Sequence, residues 1–344
     1  MGSPTPSVTP ATASVAIALN AVIVAIDQGE PVVLCAKSKD GQLGLPYGPF
    51  NPEKHRTFEI GLRTWVEQQT KVRLGFVEQL YTFGDKGREA PVALIESGDQ
   101  NARVVSVGYL ALAKAVTEIS DAVARDVQWR SWYDFFPWEN WRAGPPDVLH
   151  AIIKPALSDW VDRAANKQEK QHRATRVETA FGEAEKRWEE EKTLDRYEIM
   201  YEAGVVNEAR RDRGSSETTT TLDDTPQNNS DLAFEAGVSM RSDHRRILAT
   251  AIGRLRGKLK YRPIIFDLTP SRFTLLTLQR TVEGVVGFNL HKQNFRRHVE
   301  GAGLVTKTNI SAQLPAGRPA ALFESAPLID RAAGGLSIPR MRMT

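Results

Sequence analysis

Gly41-Gln42-Leu43-Gly44-Leu45-Pro46-Tyr47-Gly48-Pro49-Phe50, followed by Phe58-Glu59-Ile60-Gly61-Leu62-Arg63-Thr64-Trp65-Val66-Glu67-Gln68-Gln69-Thr70, is the stretch on which the fold turns. Its first half holds too much Gly and Pro for a regular element and reads as a loop. Its second half places Phe58, Leu62, Trp65 and Val66 at i, i+4, i+7 and i+8, the spacing of an amphipathic helix. Upstream, Val15 to Ile26 and Val32 to Ala36 read as apolar strands joined by the turn Asp27-Gln28-Gly29-Glu30, which Pro31 closes. Downstream, Val72 to Phe83 and Val104 to Ala113 are further strand candidates. Strand, strand, Gly-rich loop, helix, strand, strand is an α+β order.

The chain has 344 residues, 41% hydrophobic and 25% charged, a length that favours two domains and a composition that allows a sizeable core. No apolar run is long enough to span a bilayer, and Met1 to Ala13 lacks the basic and apolar regions of a signal peptide, so the reading is a cytoplasmic protein. The single cysteine, Cys35, lies in the apolar run Pro31 to Ala36 and reads as core filler. The net charge of +3 conceals an asymmetry. Arg241 to Thr344 carries 18 Lys and Arg against 6 Asp and Glu, and the rest carries 27 against 36. An acidic front and a basic back favour a C-terminal module that binds a polyanion.

Gln128 to Trp160 is dense in Trp and Phe, which points to packing on a domain flank rather than to base stacking. Arg176 to Arg213 is charged, with apolar residues at helical spacing, and reads as one or two surface helices. Gly214 to Asp231 is rich in Ser, Thr, Asn and Asp without periodicity, the composition of a disordered linker. Asp243 to Tyr261 then reads as a helix with Asp243 as its N-cap, and its basic C-terminal turns also suit the helix dipole.

Near the C-terminus, Pro270-Ser271-Arg272-Phe273-Thr274 opens a helix carrying Leu275, Leu278, Val282 and Val285 and ended by Gly287. After Phe288-Asn289-Leu290, a second helix runs from Lys292 to Glu300, anchored by Phe295 and Val299. Leu304 to Thr306 and Gly317 to Phe323 complete a hairpin. Two helices and a hairpin make a winged helix-turn-helix. Its second helix enters the major groove in DNA-binding versions, where arginines grip phosphates or guanine edges. Lys292, Asn294, Arg296, Arg297 and Arg318 are the candidate DNA contacts.

The Gly-rich loop and the helix with Arg63 and Glu67 resemble the Nudix box. In Nudix hydrolases, glutamates three or four apart on one helix face hold Mg²⁺ against a pyrophosphate. Here Thr64 and Gln68 stand where the pattern has glutamates, Thr70 replaces a glycine, and the glutamate expected after Gly48 is Lys54 or His55. One carboxylate beside a lysine is a poor Mg²⁺ site, so no catalytic residue and no metal ligand are assigned.

Glu78-Gln79-Leu80-Tyr81-Thr82-Phe83-Gly84-Asp85 with Arg88, and Arg103 to Leu112, resemble the Nudix-related transcription regulators of NAD metabolism, the NrtR family. So do Asp243 to Leu248, Asn294 to Arg297 and Gly317-Arg318-Pro319. The long segment from Trp138 to Met240 is similar to the longer NadQ-type branch, repressors of NAD biosynthesis genes. The resemblance implies a Nudix-like α/β/α sandwich followed by a winged helix-turn-helix. It also implies a homodimer on a double-stranded DNA operator, controlled by a nucleotide effector such as NAD, ATP or ADP-ribose. Candidate effector contacts are Tyr47, Lys54, Arg56, Arg63, Glu67 and Arg88. Tyr47 could instead pack the loop, and Arg63 could pair with Glu67 at i, i+4. The expected organisation is a flexible terminus (1–13), the Nudix-like domain (14–163), a peripheral helical insertion (164–240, linker 214–231), a connecting helix (241–262), the winged helix (263–326) and a tail (327–344). The competing reading is a pyrophosphohydrolase acting on ADP-ribose or a related dinucleotide; an RNA-binding or scaffold protein lacks the aromatic-and-glycine signature of the common RNA modules.

Overall fold

The computed structural model describes residues 15–38, 41–70, 72, 74–85, 103–114, 116, 127–182, 187–216, 236–312, 319–327, 335–336, 338–339 and 341–342. Strands β1 (Val15–Asp27) and β2 (Glu30–Lys37) form the expected hairpin, paired antiparallel from Val24↔Val33 to Asp27↔Glu30. The short strands β3 (Leu43–Gly44) and β4 (Tyr47–Pro49) come from the Gly-rich loop and pair with β2 and β1. Helix α1 (Phe58–Thr70) follows, then β5 (Val77–Phe83), β6 (Arg103–Leu112) and β7 (Val127–Ser131). Among the described residues these strands make one sheet in the order β3-β2-β1-β6-β5, with β4 beside β1 and β7 beside β2. β6 runs parallel to β1 from Val15↔Arg103 to Val24↔Leu112. The strand expected from Val72 begins only at Val77, because Arg63 of α1 takes the Leu74 and Gly75 carbonyls at 2.8 and 3.1 Å.

Alternation along β1 divides the core. Leu19, Ala21, Ile23 and Ala25 pack with Leu62, Trp65 and Val66 of α1 on one sheet face. Val22 and Val24 face the other way, onto α6 (His244–Leu259) and the aromatic segment. The helix expected as a connector is thus the second cover of the sheet, which completes an α/β/α sandwich.

Trp132, Phe135, Phe136 and Trp138 are fully buried, as the packing reading of the aromatic segment requires. The insertion differs from the peripheral element expected of it. Between α2 (Lys154–Asp162) and α6 lie α3 (Lys167–Phe181), the short strand β8 (Arg187–Trp188), α4 (Thr193–Glu202) and α5 (Asn207–Ser216). Trp188, Arg196, Tyr197 and Met200 from this stretch lie in the core. Apolar burial drives this, since Phe181, Trp188, Tyr197, Ile199 and Met200 join the main core, and the charges carried in with them are paired. Arg196 meets Glu139 at 2.7 Å, and Glu208 meets Arg245 of α6 at 3.2 Å. Glu208 also accepts the Met240 backbone N–H at 2.8 Å, fixing the approach to α6. The start of the expected linker, Gly214 to Ser216, belongs to α5; its remainder lies outside the described residues.

The C-terminal unit comprises α7 (Leu275–Val286), α8 (Lys292–Gly301), β9 (Val305–Ala312) and β10 (Ala320–Ser325). Thr274 caps α7 by accepting the Thr277 N–H at 3.0 Å, and Gly287 closes it. Phe273 bridges Phe323, tying the approach to α7 to the wing. Strand β11 (Met341–Arg342) pairs with β8. Among the described residues no helix is long and apolar enough to cross a membrane.

Candidate nucleotide site and nucleic-acid interface

The candidate effector residues fall on both faces of the sheet. Tyr47 of β4 pairs with Asn20 of β1 and meets α6, its ring 5.6 Å edge-on from His244 and 5.0 Å beneath the Arg241 guanidinium. Its neighbour Gly48 faces α1, where a Cβ would stand 3.0 Å from the Trp65 ring, so only glycine lets the loop lie this close to the helix. Arg63 and Glu67 ride on α1, with Glu67 exposed. Arg63 pairs with Glu59 at 2.9 Å rather than with Glu67, and its remaining donors hold the strand approach to β5. Lys54 and Arg56 are exposed on the loop that enters α1, which Asn51 pins by accepting the Glu53 and Lys54 N–H groups at 2.9 and 3.2 Å. Arg88 lies outside the described residues. Lys54, Arg56, Arg63 and Glu67 therefore share the α1 side, and Tyr47 stands apart from them on the α6 side.

The sequence reading missed Arg241 and His244. Nothing local marks them, because the loop they serve is 199 residues away for the His244 contact. His244 Nδ1 accepts the Leu45 backbone N–H at 2.9 Å, so the ring proton sits on Nε2. Burial, with help from Arg241 and Arg211, pushes its pKa down to about 3. An unfolded histidine titrates near 6.5, so between that pH and about 3 the unfolded chain binds the extra proton. The contribution of neutral His244 is fully present above pH ~6.5 and shrinks as pH falls, by about 1.4 kcal/mol per pH unit. Urea unfolding of wild type and His244→Gln at pH 7, 6 and 5 should show a shallower acid loss in the variant. Equal slopes would show that His244 takes up its proton in the fold as readily as in the unfolded chain.

α6 links this loop to the winged unit. Near its other end, Arg256 Nε donates to the Val285 carbonyl of α7 at 2.8 Å, and Arg256 Nη1 reaches buried Glu139 at 2.5 Å. Tyr133 Oη donates to the Gly284 carbonyl at 2.6 Å. The β1–β2 turn presses on the same helix. A Cβ at Gly284 would lie 2.1 Å from the Gly29 carbonyl oxygen, so glycine alone permits this contact. The sandwich and the winged unit are joined through these buried bonds.

In the winged unit, Glu283 accepts the Leu290 N–H at 2.7 Å and Gln279 donates to the Leu290 carbonyl at 3.0 Å. These bonds fix the turn between α7 and α8. Phe295 and Val299 seat α8 in the core, leaving Lys292, Gln293, Asn294, Arg296, Arg297 and Glu300 exposed. Lys292 and Arg296 line the cleft beside α7, whereas Asn294 and Arg297 lie on the opposite flank, joined by a 3.2 Å hydrogen bond. Arg318, in the segment between β9 and β10, lies outside the described residues.

Residues 265–324 match the family model of the NrtR DNA-binding winged helix domain. The C-terminal unit is an NrtR-type winged helix. A curated relative from Acinetobacter baylyi, the ADPR responsive transcriptional repressor NtrR, is 38% identical over 96 residues, covering 28% of this chain and 35% of that protein. The match thus spans about a third of the length of that relative. Shewanella oneidensis NrtR, solved in complex with a 27mer DNA, aligns over 94% of this chain and 99% of its own at 18% identity, with a TM-score of 0.52. A MutT/nudix family protein from Enterococcus faecalis aligns over 92% of this chain and 90% of its own at 13% identity, with a TM-score of 0.50. The expected architecture, a Nudix-like sandwich followed by an NrtR-type winged helix, is the one this chain adopts.

Proposed function

We propose that this chain is a cytoplasmic, homodimeric transcriptional repressor of NAD biosynthesis genes whose grip on operator DNA is set by a nucleotide in its Nudix-like sandwich. The observation that carries the reading is the join between the two parts. The NrtR-type winged helix exposes the cationic face of α8, while its α7 is hydrogen-bonded to the same α6 that supports the Gly-rich loop. α6 spans about 24 Å at 1.5 Å per residue. A ligand that displaces the loop against His244 and Arg241 moves the helix that holds Val285. In a dimer, a small rotation at each join changes the distance between the two α8 helices and hence their fit to two half-sites.

ADP-ribose is the first effector to test, because the Acinetobacter relative carries the description ADPR responsive; NAD and ATP are the comparators. Tyr47, with Arg241 over its ring, is the proposed contact on the α6 side; Lys54, Arg56, Arg63 and Glu67, with Arg88, are the alternative site on the α1 side, and single substitutions at Tyr47 and Arg63 separate the two. Fluorescence anisotropy of duplexes from upstream of NAD biosynthesis genes, with and without each nucleotide, is the direct test. Operator affinity that no nucleotide alters would remove the effector half of the reading.

The sandwich is further proposed to be catalytically silent, since Thr64 and Gln68 leave Glu67 as the box carboxylate on α1. Incubation with Mg²⁺ or Mn²⁺ and ADP-ribose is expected to give no turnover above background. Robust hydrolysis that vanishes in Glu67→Gln would make the chain a pyrophosphohydrolase with a DNA-binding appendage.

A further inference from the structure

The turn of the β1–β2 hairpin and the helix pair α7–α8 enclose an open cleft of about 890 Å³. Four cations line it: Lys114, Arg280, Lys292 and Arg296. Asp27 is the one carboxylate among its described lining residues. Elsewhere the described arginines tend to sit on carboxylates, as Arg130 does on Asp134 at 2.7 Å and Arg142 on Glu30 at 2.7 Å. The four cleft cations have no such partner among the described residues. Arg280, Lys292 and Arg296 belong to the winged unit, but Lys114 belongs to the sandwich. It reaches the cleft because β6 runs parallel to β1, and the Ala113 N–H donates to the Val24 carbonyl at 2.9 Å. That pairing brings the end of β6 beside the β1–β2 turn. The contact between Gly29 and Gly284 then fixes both against α7.

An unpaired row of cations continuous with the exposed face of α8 suits an extended polyanion. Thr274 and Thr277, at the N-terminus of α7, open into the same space. We propose that the phosphate backbone of the duplex read by α8 runs through this cleft, and that Lys114 and Arg280 contact it. The sandwich then takes part in DNA binding directly, besides housing the effector. The inference rests on the DNA-binding reading above.

Each lost phosphate contact lowers the slope of log K against log salt by about 0.9. Lys114 and Arg280 are exposed, so their substitution should leave the fold intact, which circular dichroism checks. Salt titrations on a random-sequence duplex should give slopes lower by about one unit in Lys114→Gln and in Arg280→Gln, and by about two in the double variant. Wild-type slopes in both single variants, while Arg297→Ala still weakens operator binding, would overturn the cleft and leave the DNA reading standing. Failure of the wild type to retain any duplex at low salt would remove both. Loss of ADP-ribose binding in Lys114→Gln with an unchanged slope would make the cleft a free-nucleotide site and also overturn the proposal.

Discussion

Replacing Glu139 with alanine is expected to remove about 3–5 kcal/mol of folding stability, the largest single effect foreseen for this chain. Glu139 is fully buried, in the turn after Trp138. Its carboxylate accepts from Arg196 Nε and Nη2 at 2.7 and 2.9 Å and from Arg256 Nη1 at 2.5 Å. Burial alone would raise its pKa, but the two guanidiniums outweigh that and hold it below the usual carboxylate range. Removing the carboxylate leaves two guanidiniums out of water without their counter-charge. The backbone carbonyls of Ala180, Glu189, Glu190 and Val285 still accept from them but neutralise nothing. Glu139→Gln keeps the shape and one acceptor, so it should fall between wild type and alanine. Because the folded pKa is depressed, the ionic contribution is present above the unfolded carboxylate value near 4.3 and is lost as pH falls through the folded one. Urea unfolding of the three proteins at pH 7 measures the ranking; an alanine variant within about 1 kcal/mol of wild type would show that the triad is not what holds α4, α6 and the aromatic segment together.

The same triad explains why part of this molecule was hidden in its sequence. The strands β1 and β2, helix α1 and the pair α7–α8 follow local rules: an apolar run with a turn, an i, i+4 face, a cap and a closing glycine. Phe295 and Val299 were assigned as anchors from spacing alone, and they are buried. Arg245, Arg256 and Lys258 were counted in the basic excess of the C-terminal third, yet all three are buried. Their partners Glu208, Glu139 and Glu78 lie 37, 117 and 180 residues away, and no window of sequence contains such a pair. The basic excess therefore overstated the charge available to DNA, because part of it neutralises acids that precede Arg241 in the chain. The insertion misled for the same reason. Its helices look polar because the charges that their apolar faces carry into the core find partners outside the segment, as Arg196 does in Glu139 and Glu208 in Arg245. Arg63 shows the limit within a single helix: i, i+4 spacing allowed Glu67 or Glu59, and the Leu74 and Gly75 carbonyls decided for the Glu59 side.

Arg296→Ala and Arg297→Ala are expected to damage DNA binding in two different ways, because the structure sends the two side chains to opposite flanks of α8. Arg296 stands one turn from Lys292 in the cleft beside α7, where a phosphate backbone would pass. Its loss should weaken operator and random duplex alike and lower the salt slope by about one unit. Arg297 donates to Asn294 Oδ1 at 3.2 Å, which orients its guanidinium before any DNA arrives. An oriented planar fork on an exposed recognition helix suits a guanine edge, so its loss should cost about 1–3 kcal/mol on the operator and little on random duplex. Asn294→Ala should reproduce part of that loss by freeing the Arg297 side chain. Anisotropy titrations across salt on both duplexes separate the two behaviours. If Arg297→Ala weakens random and operator DNA equally, this arginine grips backbone, and sequence must be read by other groups on α8 or by the wing.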